Sequence, residues 1–149
     1  MIAYNAKAVL YNGIGGGIES DKKWYGTELT SVRVELTQGD NITTSGLKDA
    51  DVCTIKVYDK DLPKRYEPPA IWQQDEEREE FLTFDADSFF IITHKPDIGA
   101  DVTAPTGEIN DADYEDGLQE FLTRTYGLVF RVTTADHYSL IPHWHISGR

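Results

Sequence analysis

Cysteine and positive charge are scarce in this chain, and long hydrophobic runs are missing. Cys53 is the only cysteine among 149 residues. An intramolecular disulfide and a zinc site of several thiolates are thereby excluded, and a reducing cytoplasm is the expected compartment. Lys and Arg number 14 against 26 Asp and Glu, a formal net charge of −12. A chain this acidic does not grip nucleic acid by neutralising phosphates, and anionic membrane surfaces repel it for the same reason. No apolar run approaches the roughly 18 residues of a membrane span, and residues 1–13 lack the basic-then-apolar order of a secretion signal. GxSxG and HExxH motifs are also missing. What is present is 40% hydrophobic and 11% aromatic residues. That is enough for one real core, so a single domain over 1–149 is expected and global disorder is not.

The hydrophobic pattern predicts a mostly β fold, a small β-barrel or sandwich with one or two short helices and long loops. Residues 28–37 alternate, with Val32, Val34 and Leu36 against Arg33, Glu35 and Thr37. Residues 51–58 alternate likewise and send Cys53, Ile55 and Val57 inward. Further strands are expected at 81–84, 88–94, 128–134 and 140–147, with turns at 39–41, 85–87 and near Asp136. Residues 2–11 read as a short helix with Ile2, Ala6, Val9 and Leu10 on one face, and 112–126 as a second with Leu118, Phe121, Leu122 and Tyr126 inward. Gly127 is the expected cap of that second helix. Two loops stand out for their length and prolines, about 59–73 and 95–111. The acidic run 74–80 between strands reads as a helical turn or solvated hinge.

Few side-chain groupings carry chemistry. The glycines at 13 and 15–17 lack the lysine and hydroxyl of a phosphate loop and read as a connector. Counted from Asp111, a calcium loop would need Gly and Glu where Asp116 and Leu122 stand, so that reading fails. Pairs such as Asp59 with Asp61 arise by chance among so many acids. Cys53, set between apolar neighbours on an alternating strand, reads as a small core residue. His143 and His145 share one face of a strand, and with His137 or an aspartate as a third donor they make a candidate metal site. A solvated strand face is the commoner fate of such residues.

Three stretches carry a resemblance. They are Leu10-Tyr11-Asn12, the run from Trp24 to Val57 with Gly46-Leu47 and Ala50-Asp51, and the closing Ile141-Pro142-His143-Trp144-His145-Ile146-Ser147-Gly148-Arg149. Together they resemble a largely uncharacterised family of small structural proteins of tailed phages and prophages, labelled minor capsid or neck proteins. The HWxIxGR terminus is the most specific piece. The chain departs from that pattern at Ala135-Asp136-His137-Tyr138, where relatives show a D-N-R-like turn, and its 95–111 loop is longer than usual.

The resemblance implies a non-enzymatic role without cofactor or metal: a head-closure or head–tail connector subunit in the virion neck, assembled in the bacterial host cytoplasm. It implies a homo-oligomeric ring of about twelve copies, between portal or adaptor and tail proteins. DNA would pass nearby without being specifically bound. A tail terminator or tail-tube-like ring protein is the nearest alternative, and a small metal-binding module or enzyme using His137, His143 and His145 is one of another class. The expected partner contacts are Tyr66, Ile71 and Trp72 in the middle loop, and His143, Trp144 and Arg149 at the terminus. On that reading, removal of 61–73 leaves a folded monomer. The acids of 75–80 and 108–120 are expected on solvent-facing surface, since unpaired carboxylates are costly to bury.

Overall fold

The computed structural model describes residues 4–15, 21–37 and 52–149. The strands are β1 (Ala6–Ile14), β2 (Lys23–Thr37), β3 (Val52–Tyr58), β4 (Arg65–Tyr66), β5 (Phe81–Leu82), β6 (Phe89–Lys95), β7 (Ala100–Asp101), β8 (Gly107–Asn110), β9 (Val129–Tyr138) and β10 (His143–Gly148). Among the described residues there are also two α-helices, α1 (Pro69–Trp72) and α2 (Leu118–Tyr126), and short 3-10 turns. The fold is mostly β. Antiparallel pairings run β1–β2, β2–β3, β3–β10, β10–β9, β9–β6 and β6–β1, so the ladder closes on itself as a small barrel.

Closure depends on two bent strands. β2 pairs with β1 up to Val32 and with β3 from Arg33 onward. β9 pairs with β6 over Val129–Arg131 and with β10 beyond. Strands that switch partners in this way turn the corners between two packed sheets. Every barrel strand contributes to the interior, including Leu10, Leu29, Ile55, Phe90, Phe130 and Ile146.

A second core lies outside the barrel, on the far face of β1 and β6. There Val9, Tyr11, Phe89 and Ile91 pack under Leu118 and Leu122 of α2, with Trp24, Ala104 and Ile109 at the side. β1 and β6 are therefore buried on both faces, while β3 and β10 alternate strictly between buried and half-exposed positions.

Double burial explains the main departure from the sequence reading. The expected helix over 2–11 is strand β1 where described, from Ala6 onward. Its apolar residues serve two cores at once, so no alternation shows, and a short apolar run has no period of its own. Gly13 belongs to this strand too, not to a loop; Gly16 and Gly17 lie outside the described residues, as does the expected turn at 39–41.

Other boundaries shift for local reasons. α2 starts at Leu118 because Asp116 and Gly117 take positive φ (63° and 92°), which breaks a helix begun at 112. The Asp111 carboxylate then accepts the Leu118 N–H at 2.8 Å and the Trp24 indole N–H at 2.8 Å, joining α2 to β2. Gly127 ends α2 in the left-handed conformation, as expected. The turn expected near Asp136 instead falls after Tyr138, because Ala135–Tyr138 stay paired with β10. Both proline-bearing loops hold structure. In the first, Pro68 and Pro69 preset the backbone for the first turn of α1; the second contains β7 and β8, the latter paired with β2.

Candidate functional site

The outer face formed by β3, β10 and the far half of β9 carries no covering helix among the described residues. Register determines what it displays. His143 lies opposite Tyr58 and Tyr138, and His145 opposite Lys56 and Asp136. The Tyr138 ring stacks on His143 at 5.1 Å and Tyr58 meets it edge-on at 6.2 Å. The two imidazoles approach to 3.0 Å between their Nε2 atoms. Burial, helped by the nearby Lys56 ammonium and His143, holds the His145 pKa below the usual histidine value. Lys56 is itself paired with Glu35 at 3.2 Å.

Beyond this face the β9–β10 turn presents a bare apolar tip. Leu140 is 97% exposed and Ile141 63%. Beside it Tyr58, Asp59, Lys60, Ile141 and Pro142 line an apolar hollow of about 530 Å³. The sequence reading assigned Leu140 and Ile141 to a strand and missed the tip; Pro142, with no N–H for a ladder, was the available signal.

The expected contact residues divide sharply. Tyr66 and Ile71 are exposed, His143 is half-buried on the outer face, and Arg149 is exposed with its main chain exchanging hydrogen bonds with Arg131. Trp72 is 0% exposed and its indole N–H donates to the Arg78 carbonyl. It anchors the segment against Tyr25 and is not a surface group. Trp144, 9% exposed, closes one barrel mouth with Tyr66, Phe84 and His137, all within 5 Å between ring centroids for its own contacts. Strand alternation turns its ring inward, so most of it is packed and only a small part reaches the surface hollow it lines with Asp59, Leu62 and Tyr66. Because Trp72 is core, removal of 61–73 would unseat the fold, contrary to the expectation of an intact monomer.

The three-histidine grouping does not form. His137 is the cross-strand partner of Trp144, which puts it on the face opposite His143 and His145, where its Nε2 pairs with Asp59 at 2.9 Å. Among the described residues no three His, Cys, Asp or Glu are gathered to hold a metal. The acids of 75–80 and 108–120 are exposed or half-exposed, and Asp111 among them is engaged in the α2 contact.

Cys53 points into the barrel, and burial raises its thiol pKa to about 12. Almost no thiolate exists at neutral pH, so Ellman's reagent is expected to leave the native protein unlabelled and to label one thiol per chain after unfolding. Rapid labelling of the native state would contradict this placement.

Much of the motif-bearing sequence proves to be scaffold. Leu10, Tyr11 and Asn12 are buried; the Tyr11 hydroxyl donates to the Pro105 carbonyl at 2.7 Å. Gly148 packs so closely that an added Cβ would lie 2.7 Å from the Arg131 carbonyl oxygen. One family model matches the chain, over residues 2–149, and describes a family of unknown function. No curated protein and no solved structure matches it.

Proposed function

The chain belongs to that family, DUF6751; we propose that it is a structural subunit of a tailed-phage neck, a head-closure or head–tail connector protein acting by assembly. The reading rests on the resemblance of its Leu-Tyr-Asn start and HWxIxGR end to such proteins. The observation that carries it is the apolar β9–β10 tip. Single exposed apolar residues are ordinary, but Leu140 and Ile141 adjoin Pro142, Tyr138 and an apolar hollow, and such a patch marks an interaction surface. Covering either side chain is worth about 1.5–3 kcal/mol. In a ring of about twelve copies this tip docks on the neighbouring subunit or the adjoining neck ring, with portal or adaptor on one side and tail on the other. The exposed acids then face solvent, and DNA passes without adhering, since carboxylates repel phosphates.

The test is the double variant Leu140→Ser/Ile141→Ser, supplied as the only copy during particle assembly in the bacterial host. Its melting temperature is expected to stay within a few degrees of the parent, because neither side chain is packed in the core. Its incorporation into purified particles, read by mass spectrometry, is expected to fall at least tenfold. Normal incorporation of the variant, or absence of the parent chain from particles, would overturn the proposal.

A further inference from the structure

We propose that His143 and His145 form a two-histidine chelate for a divalent first-row transition cation, with Cu²⁺ and Ni²⁺ preferred over Zn²⁺. The proposal is independent of the neck reading.

It begins with the strand. Residues two apart on β10 project from the same face; among the described residues no helix covers that face, and both histidines are half-buried, so each ring keeps an edge toward solvent. The two Nε2 atoms stand 3.0 Å apart. Two metal–nitrogen bonds of about 2.1 Å meeting at a right angle span about 3.0 Å, whereas a tetrahedral angle needs about 3.4 Å. The spacing therefore matches adjacent positions of a square-planar or octahedral ion better than a tetrahedral one.

The surroundings prepare the donors. His143 Nδ1 faces the Ile141 carbonyl oxygen, which can only accept, so the ring proton sits on Nδ1 and Nε2 keeps a free lone pair; without metal it accepts from His145, and a modest turn of both rings aims the two Nε2 atoms at one cation. Backbone carbonyls behind a ligand imidazole orient it and select its tautomer in this manner. Stacking of Tyr138 on His143, and its approach to His145 at 4.5 Å, hold both rings in place. Without metal, His145 donates its Nε2 proton to His143. With metal, that proton moves to His145 Nδ1 through solvent, and both Nε2 lone pairs bind the cation with no net change in protonation. Lys56 is the cation closest in register, and Glu35 offsets its charge. The remaining coordination positions open to water.

The experiment uses the untagged full chain titrated with Cu²⁺, Ni²⁺ and Zn²⁺ by isothermal calorimetry, with electron paramagnetic resonance of the Cu²⁺ form. One equivalent is expected, in affinity order Cu²⁺, Ni²⁺, Zn²⁺, with a spectrum showing two coordinated nitrogens. His143→Gln or His145→Gln is expected to weaken Cu²⁺ binding about tenfold or more, at an unchanged melting temperature, while His137→Gln leaves it intact. No saturable binding by the parent, or equal binding by the His143→Gln/His145→Gln double variant, would overturn the proposal. So would loss of binding in His137→Gln.

Discussion

Trp72→Ala is expected to lower the stability of the protein by about 3–5 kcal/mol, among the larger losses any single replacement here should cause. The indole is fully enclosed although it sits in a proline-bearing loop. Its removal leaves a cavity against Tyr25 and releases the Arg78 carbonyl from its donor. The loss spreads, because Arg78 in turn donates to the Gln73 carbonyl at 3.0 Å and the Gln73 amide donates to the Gly13 carbonyl at 3.0 Å. These contacts pin the 68–80 segment to β1. For a chain of this size the melting temperature should fall by about 6–20 °C. A melting temperature within 2 °C of the parent, taken as about the effect of a neutral surface change, would show that the indole is not core. Ile71→Ala, one residue earlier but exposed, is the control and should be near neutral.

Asn12→Leu should cost about 2–4 kcal/mol despite the similar side-chain size. The Asn12 amide donates to the Thr83 carbonyl at 2.6 Å and to the Ser88 hydroxyl at 2.9 Å, and its oxygen accepts the Thr83 N–H. All three residues are buried. Leucine would leave the Thr83 N–H and carbonyl without partners in a dry site, and a buried polar group stranded in this way costs more than the bond it lost. Asn12→Asp should not rescue it, since a carboxylate cannot donate to the Thr83 carbonyl. Chemical denaturation checks both variants. A midpoint unchanged in Asn12→Leu would mean that solvent reaches these groups.

These two residues show how differently similar signals resolve. Asn12 belongs to a stretch that carries the family resemblance, and its place in the fold is structural: it ties β1 to the segment before β6. Trp72 has the chemistry of an interface anchor and sits among prolines, yet it is the peg of its own loop. Composition cannot separate an aromatic that waits for a partner from one that already has one. Leu140 and Ile141 show the reverse, since their local pattern is that of a strand and they are bare only because the β9–β10 pairing ends at Tyr138 and His143.

The sequence by itself determined the acidity, the mostly β class, the alternating strand β3, a strand where β10 lies, the inward course of Cys53, the cap at Gly127 and the shared face of His143 and His145. Each is a local property, legible because one side of the strand is wet and the other dry, or because one residue type suits one backbone conformation. Tertiary structure alone decided that 6–14 is a strand, since a segment buried on both faces loses the alternation that would identify it. It alone placed His137 across the sheet from the other two histidines, because register is set by pairing between strands, not within one. Closure of the barrel through bent β2 and β9 is likewise a relation among six strands. No window of neighbouring residues contains it.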